Sequence, residues 1–297
     1  MEKPSASFKL NRNKKVLRTV LPKGRIFDNV ACLLRNCGIS LETNAGYYIP
    51  NIEDKELEAK IMKPQNIPQL VELGSHDIGF TGRDWVIETG AEVEEILDLK
   101  FDPVTIVAAI PEKMSLSQLK SRRIIVATEY ERTARRFLEK EGYDYFIIRT
   151  YGASEAFPPQ DADMVIDNMA TGQTLKDHKL KVIDRIMNSS TCLIANPQAL
   201  NESWKKEKIE ALLMLFNSVL NARQRVMLEM NVPSERLEEI VRILPCMRAP
   251  TVAPLFKDTG FAVKVAVKKE EVPALIPVLK KLGATDILEY SLRKVII

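Results

Sequence analysis

The stretch Asp161-Ala162-Asp163-Met164-Val165-Ile166-Asp167-Asn168-Met169-Ala170-Thr171-Gly172-Gln173-Thr174-Leu175 has the residue types of a sugar-phosphate site. A short apolar strand ends on a carboxylate, Asp167, which is placed to accept hydrogen bonds from sugar hydroxyls. A glycine turn flanked by Thr171 and Thr174 then leads toward a helix. The first N–H groups of a helix have no intrahelical acceptor, so together with the threonine hydroxyls they can receive an anion. On the loop alone, a plain capping turn is an equal alternative, because T-G-x-T is short and common.

Upstream, Glu155 supplies a second carboxylate. Transfer of a phosphoribosyl group passes through a ribose with oxocarbenium character. Anionic side chains near the ring stabilise that charge, while cations balance a leaving pyrophosphate. Candidate cations are Lys23 and Arg25, separated by Gly24 after a strand, with Lys63 and Arg83 on neighbouring loops. A solvated surface charge is the default for each taken singly. Their shared position after strands groups them as a phosphate site.

The elements that must hold these residues alternate. Residues 16–22 read as a buried strand, and Ile26, Val30, Leu33 and Leu34 then share one helical face up to Gly38. A short helix at 66–74 and a strand at 76–80 continue a β-α-β pattern with a largely parallel sheet. Residues 101–110, 123–128, 145–150 and 164–166 read as strands, with a helix at 133–141. Residues 203–222 form a strong helix that returns toward the first unit. The expected class is α/β, with two lobes and a cleft between them: lobe I is 1–103 with 198–222, and lobe II, carrying the 167–174 loop, is 104–197. Residues 223–297 have a separate βαββαβ order, the ferredoxin-like arrangement.

Composition narrows the function classes. The 297 residues carry 43 basic and 40 acidic side chains, a balance that does not point to nucleic acid. No apolar run has membrane-spanning length, and the opening basic residues lack a signal peptide's apolar core. Cys32, Cys37, Cys192 and Cys246 form no C-x-x-C pair, and the two histidines, His76 and His178, do not stand at metal-ligand spacing. A cytoplasmic protein without a structural zinc is the expectation. The two-lobed outline by itself suits a solute-binding protein equally well; the 167–174 loop separates the two readings, since a simple amino-acid binder needs no sugar-phosphate cradle.

From about residue 16 onward the chain resembles the ATP phosphoribosyltransferase family. The blocks that carry the resemblance are LPKGR (21–25), KPQNIPQLVELGSHDIGFTGRDWVIE (63–88), the 163–175 loop, MNVPSE with LPCMRAPTVAPL (230–255) and GATDILEY (283–290). The fold it implies is a two-lobed, periplasmic-binding-protein-like catalytic region with a ferredoxin-like regulatory domain, the long form. The reaction implied is attack of the ATP adenine N1 on ribose C1 of phosphoribosyl pyrophosphate, with pyrophosphate leaving. Mg²⁺ would arrive bound to the substrates. The resemblance gives catalytic roles to Lys23, Glu155 and Asp167. It gives phosphoribosyl pyrophosphate to Asp167, Ala170, Thr171, Gly172, Gln173 and Thr174, and ATP or its phosphates to Lys23, Arg25, Lys63 and Asp84. It implies L-histidine as a feedback inhibitor at Asn231, Met247, Thr251, Val265, Ala266 and Asp286, several acting through backbone groups. It also implies homo-oligomers, dimers within hexamers.

Overall fold

The computed structural model describes residues 15–43 and 48–297; the basic N-terminal segment 1–14 lies outside them. The chain forms two compact units that divide inside one long helix. The first ends at Ile209, and the second comprises Glu210–Ile297 with Asn36–Gly38.

In the first unit the elements run β1 (Leu17–Pro22), α1 (Arg25–Cys37), a small β2/β3 pair (Leu41–Glu42, Asn51–Ile52), β4 (Leu57–Met62), α2 (Ile67–Glu72), β5 (Ile78–Gly82) and α3 (Arg83–Thr89). There follow β6 (Glu94–Pro111), α4 (Leu116–Lys120), β7 (Ile124–Thr128), α5 (Glu131–Glu141), β8 (Tyr145–Arg149), β9 (Met164–Met169), α6 (Gln173–Asp177), β10 (Leu180–Ala195), α7 (Pro197–Asn201) and the start of α8 (Ser203–Arg223). One eight-stranded sheet has the order β4-β1-β5-β10-β6-β9-β7-β8.

That order places the site. Strands β4, β1 and β5 are parallel, and so are β7, β8 and β9. The long antiparallel pair β6/β10 joins the two sets. Gly82, ending β5, registers with Thr191; Met169, ending β9, registers with Thr105, whose other neighbour is Asn188. The carboxyl ends of both sets therefore approach the middle of β6/β10 from opposite directions. Loops after carboxyl ends are where open α/β sheets bind ligands.

Each strand set has its own core. Val20, Ile67, Val71, Cys192 and Ile194 pack on one side of the first. Ile106, Ile124, Val126, Leu138, Met164 and Ile166 are among those filling the second. The start of α8 is tied to the first set: Lys205 reaches buried Asp77 at 3.1 Å, and Lys208 reaches Asp54 and Glu56, each at 2.8 Å. Gly79 marks the tightest packing there. A Cβ on it would lie 2.7 Å from side-chain carbons of Ile67 and Val20 and 2.9 Å from one of Val71. Gly79→Ala is expected to cost about 1–3 kcal/mol of stability by overpacking, read as a lower denaturant midpoint with an unchanged slope.

The periodicity reading does not find β10 and starts β6 seven residues late. The reason is physical. The β6/β10 ladder carries repeated register shifts, and Lys100 and Asp102 have positive φ, so the period-2 alternation that signals a strand is broken. The exposed face of β10 also carries Lys181, Asp184 and Arg185, which mask the pattern.

The second unit holds the rest of α8, then β11 (Arg225–Val232), α9 (Leu237–Ile243), β12 (Thr251–Pro254), β13 (Phe261–Lys268), α10 (Val272–Lys281) and β14 (Thr285–Ser291). Its antiparallel sheet has the order β12-β13-β11-β14, the ferredoxin-like order. Alternating Val226, Leu228, Met230 and Val232 face Ile240, Leu275 and Leu279 in its core. The last strand ends at Ser291. No described helix is long and apolar enough to cross a membrane.

Candidate active site

Asp167 stands at the carboxyl end of β9. Its Oδ1 accepts the Asn168 backbone N–H at 2.6 Å and the Asn168 side-chain amide at 3.0 Å. Burial pushes its carboxyl up to about 6; the Ser154 hydroxyl and the Asn168 N–H counter this, while the Glu129 and Glu155 carboxylates add to it. Three acidic groups therefore share one field. Carboxylates gathered in this way are poised to meet positive charge or sugar hydroxyls.

Glu155 is placed there by a turn. Gly152 and Ala153 both have positive φ, and Ser154–Ala156 then form one 3-10 turn. Buried Ser154 shares a 2.7 Å hydroxyl contact with Thr150 at the end of β8. The 170–174 loop stays near the surface and turns at Gly172, φ 79°, into α6. The Thr171 hydroxyl accepts the Gln173 N–H at 3.4 Å, so the sequence-expected turn is formed.

The basic candidates divide. Lys23 and Lys63 follow adjacent strand ends, since Pro22 registers with Met62. Lys23 is exposed, with its ammonium 5.3 Å from the Tyr48 ring centre. Lys63 lines a cavity of about 390 Å³ together with Gln65, Trp85, Glu129, Arg149 and Tyr151. Arg25 begins α1 and lies 3.5 Å from Asp102 while remaining largely exposed. Arg83 is engaged elsewhere: its guanidinium forks onto Glu95 and reaches Asp98 at 3.5 Å.

Asp84 is buried rather than open to the cleft. Its Oδ1 accepts the Ser189 hydroxyl at 2.6 Å, and its Oδ2 accepts the Tyr130 hydroxyl at 2.7 Å. Tyr130 stacks on Trp85 with ring centres 4.5 Å apart and also accepts from the Asn168 amide at 3.2 Å. A continuous chain thus runs Ser189–Asp84–Tyr130–Asn168–Asp167, from the end of β5 to the end of β9. Glu88 adds a second link, accepting the N–H groups of Arg132 and Thr133 at 2.8 and 2.9 Å at the start of α5. Sequence reading missed Gln65, Glu129, Tyr130, Ser154 and Ser189. The available signal for Glu129 and Tyr130 was their place directly after the strand 123–128.

In the second unit the six effector positions form two groups. The Asn231 amide donates to Asp286 at 2.8 Å, and the Thr285 hydroxyl adds a bond of 3.1 Å. Asn231 registers with Ala262, so Val265 and Ala266 lie roughly 10–13 Å farther along β13. Thr251 registers with Lys264 beside them, and Met247 is exposed on the preceding loop. The Val265 side chain is in the core, which leaves only its backbone available to a ligand.

Comparison with known proteins adds a consistent picture. Residues 63–218 match the family model described as ATP phosphoribosyltransferase, and residues 222–294 match the one described as HisG, C-terminal domain. An ATP phosphoribosyltransferase of Chlorobium phaeobacteroides is 39% identical over 287 residues, 95% of this chain and 98% of that protein. One of Pelotomaculum thermopropionicum is 39% identical over 288 residues, 94% and 99% of the two chains. Among solved structures, the ATP phosphoribosyl transferase (HisG:HisZ) complex from Thermotoga maritima superposes with a TM-score of 0.63 at 25% identity, covering 69% of this chain and 99% of that one.

Proposed function

The chain belongs to the ATP phosphoribosyltransferase family, in its long form with the C-terminal domain on the same polypeptide, and we propose that its reaction takes place at the converging strand ends around Asp167. The reaction is the first step of histidine biosynthesis, in which ATP and phosphoribosyl pyrophosphate give 1-(5-phosphoribosyl)-ATP and pyrophosphate. The observation that carries the placement is the shared field of Asp167, Glu155 and Glu129 at the end of β9.

In this reading Asp167 accepts the ribose hydroxyls, and Glu155 faces the ring as it gains positive charge. The turn Ala170–Thr174 holds the 5′-phosphate through N–H groups and hydroxyls. Lys23, Arg25 and Lys63 receive phosphates of the two substrates. Asp84 acts through Tyr130, fixing the strand ends, rather than by touching the nucleotide. Catalysis rests on positioning and preorganised charge. Mg²⁺ arrives on the pyrophosphate of the substrate. The division into lobe I (1–103 with 198–222), lobe II (104–197) and a regulatory domain (223–297) belongs to the same reading.

The C-terminal domain is proposed to bind L-histidine and to assemble dimers into hexamers. Support comes from its outer sheet face, where Leu288 and Tyr290 are about half exposed beside Met227 and Ala266. Two effector half-sites set apart on one chain suit a ligand held where copies meet. The test is formation of the adduct from ATP, phosphoribosyl pyrophosphate and Mg²⁺, followed by ultraviolet absorbance with and without histidine. Millimolar histidine is expected to slow the wild type by about 5-fold or more, a typical coupling. Asp286→Asn keeps a residue that tolerates the positive φ at this site and removes only the charge. It is expected to raise the half-inhibiting histidine concentration at least about tenfold, the loss of a charge-assisted hydrogen bond. Equal inhibition of both proteins would remove Asp286 from the effector site.

A further inference from the structure

One wall of the 390 Å³ cavity is Glu129, directly after β7, and no cation among the described residues pairs with it. Its one hydrogen-bond partner among the described residues is the Gln65 amide, which donates to Oε2 at 3.4 Å, a long bond. Oε1 points across to the turn before Glu155, since a Cβ on Gly152 would lie 3.9 Å from it. Gln65 Oε1 is itself buried without a hydrogen-bond partner, an unusual state for an amide oxygen. Trp85 and Tyr151 give the same cavity flat aromatic surface, and Lys63 and Arg149 give it positive charge. A planar heterocycle that carries phosphates and presents an N–H edge fits this lining.

The chemistry of the reaction says what that edge needs. As the N1 lone pair of adenine forms the bond to ribose C1, the C1–O bond breaks and its pair leaves with pyrophosphate. The adenine ring becomes positive, and resonance places much of that charge on the 6-amino group, which keeps both protons in this step. A fixed carboxylate against the amino group gains attraction as the transition state forms, which is the condition for lowering a barrier.

We propose that Glu129 is this carboxylate: it accepts a hydrogen bond from the adenine 6-amino group and stabilises the charge developing on the ring, while Gln65 orients it. The assignment rests on the placement of the ribose at Asp167, because Glu129 lies within the same acidic cluster. It makes Glu129 a catalytic residue and a source of preference for 6-amino purines.

The experiment compares ATP with purine riboside triphosphate, which retains N1 and lacks the amino group, on the wild type and on Glu129→Gln. The intrinsic difference in N1 reactivity is common to both enzymes and cancels. The preference for ATP in kcat/KM is expected to shrink by about 10- to 100-fold in the variant, the scale of one charge-assisted hydrogen bond. If the variant turns over too slowly to measure, the ratio of the two dissociation constants by calorimetry decides, with the same contraction expected. An unchanged preference in both measurements overturns the proposal. The KM for phosphoribosyl pyrophosphate in Asp167→Asn reads the ribose placement separately. A wild-type value there, with the contraction still present, refutes the ribose position and leaves Glu129 in place.

Discussion

Asp167→Asn is expected to lower kcat/KM for phosphoribosyl pyrophosphate about 100- to 1000-fold, the range seen when one preorganised electrostatic group is removed, and at the same time to raise the stability of the protein. The two effects have one cause. Folding buries the Asp167 carboxyl near Glu129 and Glu155 and raises it from 3.8 to about 6. A group raised in the folded state favours folding while it is protonated. That contribution is full below the unfolded value near 4 and is lost as pH rises through 6. At pH 7 the ionised carboxylate therefore opposes folding, by on the order of 2–3 kcal/mol from a shift of about two units at 1.4 each. Asparagine retains an acceptor for the Asn168 N–H and the Ser154 hydroxyl and carries no charge. The wild-type kcat/KM should fall on the acid side with an apparent pKa near 6, and this limb should vanish in the variant. Loss of stability at pH 7, or wild-type kinetics, would contradict the assignment.

The same residue shows what could be read before any fold was known. Asp167, the Thr171-Gly172 turn and Glu155 are legible because strand, carboxylate, glycine and hydroxyls lie within a few residues of one another. The ferredoxin-like unit is legible for a similar reason: Phe261, Val263, Val265 and Val267 alternate without interruption, and the helical stripes of α9 and α10 are clean. What escaped was set by distance along the chain. Ser189 reaches Asp84 across 105 positions and Tyr130 reaches it across 46, so no local pattern announces either bond. Arg83 looked like a phosphate ligand because its partners, Glu95 and Asp98, lie on a strand whose bulges hid it. The resemblance sets Asp84 near the nucleotide, and its burial depends on β10, which periodicity does not reveal.

Tyr130→Phe tests the hidden part of the site. The ring is fully buried, and phenylalanine keeps the stack on Trp85. Burial and the nearby Asp84 charge push the phenol far above its ordinary pKa, so it stays protonated and donates to Asp84 at all working pH. Removing the hydroxyl leaves Asp84 Oδ2 buried without that donor. The expected loss is about 2–4 kcal/mol, since a buried charge left short of a partner costs far more than an average hydrogen bond contributes. The Asn168 amide also loses its acceptor, and Asn168 is what grips Asp167. We therefore expect kcat to fall about tenfold as well, the scale of one weakened positioning contact. Asp84→Asn in the phenylalanine background removes the stranded charge, so it should cost much less there than in the wild type, with a coupling of about 1.5 kcal/mol or more. Additive losses in the unfolding free energies would show that Tyr130 and Asp84 do not act as a pair. A stability loss with unchanged kcat would confine the chain from Ser189 to Asp167 to holding the strand ends together.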